Sequence, residues 1–261
     1  MEKITLEYRP VPFLKYTRKI EGSFPSTFTE LQPKQLIAIA ALINGKISET
    51  AFLNIMTGIP KFRIKKLEDY HRYKLMILFE PFMNVEPYNR FIIPIIKLSR
   101  GTLAAPKPKL HGITFAQFIF VESYFENYQT DKDSTDLHKF IASLYLLSNH
   151  SFNEEEITLA AHKVSRVKPE ILEAVVINYV LIKEWLALAY PMIFEDVSDD
   201  SEMPQKIKNH SGNSGWIKIL ENIIGDDLVN HDRYSMLPLH TVLRWMTNKI
   251  KAPSFSPAGG G

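Results

Sequence analysis

The sequence predicts a mainly α protein, a multi-helix bundle with a small N-terminal α+β part containing short strands. Three observations carry this. From Gly112 onward, helix-start signals recur and are followed by apolar residues at three- and four-residue spacing. Strict alternation of apolar and polar residues is confined to the N-terminal segment. A chain of 261 residues that is 45% hydrophobic and 11% aromatic has enough apolar surface to bury a core.

Taken in order, Ile4, Leu6 and Tyr8, then Val11 and Phe13, alternate with polar neighbours, so Lys3 to Thr17 reads as one or two short strands broken by Pro10 and Pro12. Thr29 with Gln32 matches a capping box, and the apolar run Leu36 to Ile43 closes at Asn44-Gly45, which predicts a helix over 32–44. Ser48 starts a short helix that stops at Gly58, and a further helix is expected from Ile64 to Phe79, before Pro81. Phe91 to Leu98, then Arg100-Gly101 and Thr102 to Leu110, suggest a short hairpin or an arm.

Four longer helices follow. Thr114 with Gln117 opens one that reaches Tyr128, and Ser134 or Thr135 opens the next. Asn153 with Glu156 opens a third, whose first-turn glutamates Glu154 to Glu156 suit the positive end of a helix dipole. Pro169 opens a fourth that runs to Tyr190, and its apolar residues, Ile171 through Leu188, cover more than one face. Residues 195–215 are acidic, rich in serine and glycine and poor in apolar groups, and read as a flexible linker. Beyond it two short amphipathic helices are expected, one through Trp216, Ile217, Leu220 and Ile224, the other after Pro238 through Leu243, Trp245 and Met246. The domain reading is therefore a basic N-terminal part at 1–110, an acidic helical core at 111–194, the linker, a helical hairpin at 216–251 and a disordered tail at 252–261.

Charge is segregated along the chain: 18 Lys+Arg against 9 Asp+Glu in residues 1–110, 6 against 16 in 111–205, and 7 against 4 in 206–261. A basic block followed by an acidic one can pair within the chain or head to tail between copies, which makes a homo-oligomer one expectation. Nucleic acid is a rival partner, held back because Lys15, Arg18, Lys19, Lys61, Arg63, Lys65 and Lys66 form no dense arginine tract and read along the chain without an interleaved aromatic platform. With no cysteine there is no disulfide or thiolate chemistry. No stretch approaches the roughly 20 apolar residues of a membrane span, and Met1 to Pro10 does not resemble a signal peptide, so the expected setting is the cytoplasm.

No catalytic set emerges from the residues, and neither a cofactor nor a metal is expected. The eight histidines include no His-Glu-x-x-His spacing. His231 and Asp232 near Asp226 and Asp227 read as loop and cap residues, Ser211 to Gly215 lacks the lysine of a phosphate loop, and Glu122 with Glu126 is a like-charge pair one turn apart.

The order of several segments carries a resemblance: Thr29 to Leu36, Pro106 to Leu110, Gly112 to Phe118, Leu137 to Tyr145, Trp185 with Tyr190-Pro191 and Phe194, and Trp216 near the C-terminal helices. Over residues 29–250 this resembles uncharacterised proteins of Bacteroidota phages and prophages, often found in tail-gene neighbourhoods. The resemblance implies a non-enzymatic assembly role, foremost a tail assembly chaperone that keeps the tape measure protein soluble while a tail tube forms, with no catalytic residues attached. Such a protein works in the host cytoplasm or stays in the virion. The rival readings are a structural virion component, such as a connector or tail-completion protein, and a basic nucleic-acid-binding accessory protein. Short terminal helices after a linker must dock on the body or on a partner, so Trp216, Ile217, Leu220, Leu243, Trp245 and Met246 are the expected partner-binding residues.

Overall fold

The computed structural model describes residues 1–8, 16–147, 150–194, 214–225 and 231–251. Among these the chain forms twelve α-helices and five short strands, a mainly α fold with a small N-terminal β part. No described helix is long and apolar enough to cross a membrane. The chain divides into two compact units, one of Met1–Tyr88 with Lys168–Leu181, the other of Asn89–Val167 with Ile182–Gly261. The packing boundary after Tyr88 and the charge boundary near residue 110 are thus different properties of the chain.

In the first unit, β1 (Glu2–Tyr8) pairs antiparallel with β2 (Arg18–Phe24) in a register that sets Leu6 opposite Ile20. The pairing lies one strand beyond the segment where alternation is evident, because β2 shows only Ile20 and Phe24 as large apolar residues, with Gly22 between them. That glycine is dictated by packing: a Cβ built on it falls 2.8 Å from Ile59 Cγ1 and 3.0 Å from the Thr57 carbonyl oxygen.

The helices α1 (Pro33–Ile43) and α2 (Glu49–Thr57) pack together. The start of α1 differs from its expected form. Gln32 is the N-cap and forms a reciprocal capping box with Gln35, while Thr29 lies in a single 3-10 turn at Phe28–Glu30. The buried Gln35 amide also donates to the Met56 carbonyl at 3.2 Å, tying α1 to α2. Ser48 caps α2 through its Oγ, which accepts from Ala51 N–H, and Gly58 ends it with φ of 73°.

The single helix expected over 64–79 is instead two, α3 (Lys61–Ile64) and α4 (Asp69–Ile77). Between them Lys66 and Leu67 close tight turns onto Arg63 and Ile64, and Glu68 adopts an extended ψ of 153°, so Asp69 becomes a first-turn acid of a new helix. Ile64, Leu67, Leu75 and Phe79 are buried, and Phe79 meets Phe52 and Phe24 edge-on at 5.4 and 6.1 Å.

The second unit contains a three-stranded sheet in the order β3 (Ile95–Lys97), β4 (Thr102–Ala104), β5 (Leu146–Leu147), antiparallel throughout. Gly101, at φ of 88°, makes the β3–β4 turn expected at Arg100-Gly101. The same unit holds α5 (Phe115–Asp131), α6 (Ser134–Leu144) and α7 (Glu154–Val164), with α6 packed on both α5 and α7, each opened by a capping side chain: Thr114 Oγ1 accepts from Gln117 N–H, Asp133 from Thr135 N–H, and Asn153 from Glu155 N–H.

Three buried polar groups in this unit find partners on distant stretches of the chain. Gln117 does not close a box on Thr114; its amide reaches across to the Ser143 carbonyl at 2.9 Å, joining α5 to α6. Tyr145, fully buried, donates its hydroxyl to the Ile93 carbonyl at 2.7 Å, and burial pushes its phenol well above the usual range. Glu122, 2% exposed, pairs with Lys183 at 2.8 Å, and the Lys183 ammonium also stands 5.0 Å from the Phe125 ring centre.

The long helix α8 (Pro169–Ala189) is shared by the two units in sequence. Leu172, Val175, Val176, Tyr179, Ile182 and Leu186 are buried, but Leu188, expected in the core, is 70% exposed. The chain continues through α9 (Pro191–Phe194), α10 (Ser214–Ile224), α11 (His231–Ser235) and α12 (Leu239–Lys251). Of the linker expected over 195–215, residues 195–213 lie outside the described residues, as do the tail at 252–261, Pro10, Pro12, Asp226 and Asp227; Ser214 and Gly215 already belong to α10.

Candidate partner-binding face of the C-terminal helices

The six residues nominated from sequence all lie on α10 and α12, inside the second unit. How these helices are held decides which of the six remain available. The start of α12 is stitched to the start of α5 by two backbone bonds, Phe115 N–H to the Leu237 carbonyl at 2.8 Å and Leu239 N–H to the Ile113 carbonyl at 3.1 Å. Pro238, which lacks an amide proton, sits where the helix needs none, and its carbonyl accepts from Thr241 and Val242.

One turn further, His240 acts as a latch. Its Nδ1 accepts the Tyr190 hydroxyl at 2.8 Å, and its Nε2 donates to the Lys109 carbonyl at 2.5 Å, so the neutral imidazole has both nitrogens engaged. The ring stacks on Tyr190 at 5.8 Å, meets Trp185 edge-on at 6.3 Å and lies 4.9 Å from the His111 ring. Burial, followed by the charges of His111, Arg244 and Lys109, holds His240 below its ordinary value, although the bond to Lys109 acts the other way.

The carbonyl that His240 grips belongs to a strained turn. Lys109 and the buried Leu110 have φ of 63° and 57°, left-handed values that cost a non-glycine residue about 1–2 kcal/mol each. Lys109 N–H to the Asn89 carbonyl and the Lys107–His111 bridge keep the turn in place. His240, Tyr190 and Lys109 were not legible as a cluster, since nothing local in the sequence announces left-handed backbone at a lysine and a leucine.

On α12 the inward residues are Leu239, Val242, Leu243 and Met246, all buried, at the spacing of one helix face. On α10, Leu220 and Ile224 are buried, and Trp216 packs edge-on against Phe118 and Phe115 at 5.0 and 6.2 Å and tilted against Phe194 at 5.6 Å. Thus Trp216, Leu220, Leu243 and Met246 are engaged within their own unit. Ile217 and Trp245 point outward, 41% and 42% exposed, and the Lys249 ammonium stands 4.7 Å from the Trp245 ring centre.

Among the described residues no three His, Cys, Asp or Glu side chains converge as metal ligands, and His240 engages both ring nitrogens, one with the Tyr190 hydroxyl and one with the Lys109 carbonyl. The chain matches no family model, no curated protein and no solved structure.

Proposed function

We propose that this chain is a non-enzymatic assembly protein that holds a protein partner through the outward side of α10 and α12. The observation that carries the reading is the exposure of Ile217 and Trp245 on helices that already bury Leu220, Ile224, Leu239, Val242, Leu243 and Met246. The helices therefore do not need a partner to fold, and their remaining indole and aliphatic groups are the kind that anchor interfaces. Together with the tail-region resemblance of residues 29–250, this favours a tail assembly chaperone whose partner is the tape measure protein, binding an amphipathic segment against the two helices.

Co-expression with the tape measure protein, followed by size-exclusion chromatography with light scattering, tests this. The expected outcome is a soluble complex that forms only together and is lost on combining Ile217→Ala with Trp245→Ala. Capture that is unchanged in that variant refutes the assignment of the face, and a stable closed ring with no affinity for the tape measure protein identifies a structural virion component instead.

A further inference from the structure

The first unit carries a surface of a different kind. Between Lys61 and Ile77 the chain holds six cations, Lys61, Arg63, Lys65, Lys66, Arg72 and Lys74, against two acids, Glu68 and Asp69. One acid is already taken, because Asp69 pairs with Arg72. The side chains that anchor this segment, Ile64, Leu67 and Leu75, are buried, His71 and Arg72 are half-buried, and the other residues from Lys61 to Lys74 face outward.

Those outward residues include three aromatic rings. Phe62, Tyr70 and Tyr73 are 61%, 59% and 64% exposed, and Ile77 completes the stripe at 44%. Tyr70, Tyr73, Lys74 and Ile77 follow the i, i+3, i+4, i+7 spacing of one face of α4. A cation accompanies two of the rings: the Lys74 ammonium is 4.5 Å from the Tyr70 centre and the Arg63 guanidinium 5.7 Å from that of Phe62.

We infer that the outward face of α4, with the exposed cations of α3 before it, is a binding surface for single-stranded nucleic acid. The charge selects a polyanion, and the rings select one whose flat faces are open. A single strand offers both, since unpaired bases stack on exposed aromatic side chains while lysine and arginine neutralise the phosphates. A duplex hides its base faces and an acidic peptide has none to stack. Tyr70 and Tyr73 are separated by about 4.5 Å along the axis of α4, so their rings emerge within one turn of each other. The aromatic platform not expected from the sequence is in fact interleaved with the cations there, as Lys61-Phe62-Arg63 and Tyr70 to Lys74.

Fluorescence anisotropy with the full chain and a labelled oligothymidylate of about 20 nucleotides tests the inference at low salt, about 50 mM. The expected result is binding that weakens as salt rises and that falls at least tenfold in Tyr70→Ala with Tyr73→Ala, with the far-ultraviolet circular dichroism unchanged because both residues are exposed. Lys65→Gln with Lys66→Gln is expected to flatten the salt dependence. The inference is overturned if the oligothymidylate does not bind, if the tyrosine variant binds as tightly as the parent, or if a duplex of equal length, anionic vesicles or an acidic peptide binds as tightly through the same tyrosines.

Discussion

The helices α4 and α12 make an instructive pair, since both carry apolar residues at helical spacing and they place them on opposite sides. In α12 the stripe Leu239, Val242, Leu243, Met246 is buried, and only Trp245 and Ile250 among its large apolar residues are exposed. In α4 the stripe Tyr70, Tyr73, Ile77 is exposed, and Leu75 is the buried residue. Periodicity therefore announces a helix and a face, and leaves open whether that face meets the protein interior or the solvent. Composition distinguishes the two: the buried stripe is aliphatic, while the exposed one is built on tyrosines that tolerate water at one end.

The largest expected effect tests that contrast directly. Leu243 is completely buried, so Leu243→Ala removes apolar contacts and leaves a cavity, costing about 2–5 kcal/mol. Tyr73→Ala, at a residue 64% exposed on the outward face of α4, is expected to stay within about 0.5 kcal/mol of the parent. Urea denaturation of both variants measures the difference. Equal losses would show that the α4 stripe is structural, and its exposed rings would then need another explanation.

A second comparison within the molecule sets the charge pair of α5 and α8 against the aliphatic core position Leu243. Glu122 is 2% exposed and Lys183 29% exposed at its side chain, so removing the lysine takes the ammonium away from a buried carboxylate. Burial by itself pulls the Lys183 ammonium down, but Glu122, supported by Glu126 and Glu184, outweighs it and holds the group above its ordinary value of 10.5. The raised value means that the pair stabilises the fold throughout neutral pH, and that this contribution is lost only as pH climbs past the lysine range. Lys183→Met is expected to destabilise by about 2 kcal/mol at pH 7, less than a fully buried pair because the lysine keeps some water. Restoring stability with the further change Glu122→Gln would identify the lost charge compensation as the cause.

How much of this was legible follows the range of the interactions. Helix starts at Ser48, Thr114, Asn153 and Pro169 are local events, in which a side chain serves backbone groups within three residues or a proline omits one, and each is found where the sequence places it. The β1–β2 pairing was not legible, because Arg18–Phe24 gains its strand from a partner fifteen or so residues away and offers only Ile20 and Phe24 as apolar signal. The break between α3 and α4 was missed for a related reason: an apolar pattern runs through Leu67, and only the extended backbone at Glu68 interrupts it. Of the nominated face, Ile217 and Trp245 could not be separated from Trp216 and Leu243 without knowing which neighbours cover each. The His240 latch depends on a carbonyl 131 residues away and was beyond any local reading.

The smallest effect concerns that latch and contrasts the two ways in which α12 is attached. The backbone stitch to α5 involves no titrating group, whereas the His240 bridge does. Because folding holds His240 below its ordinary value of 6.5, the unfolded chain takes up the proton first; stability is full above that value and declines as pH falls below it. Protonation would also turn Nδ1 into a donor facing the Tyr190 hydroxyl, which must then rotate to accept. His138, likewise lowered chiefly by burial with Asp133 opposing, adds to the same trend, so the parent alone does not isolate the latch. The comparison is with His240→Gln: between pH 7 and pH 5 the parent is expected to lose more thermal stability than the variant, as read by melting curves at each pH. Parallel losses would assign the acid sensitivity to His138 and leave the backbone stitch as the principal tether of α12.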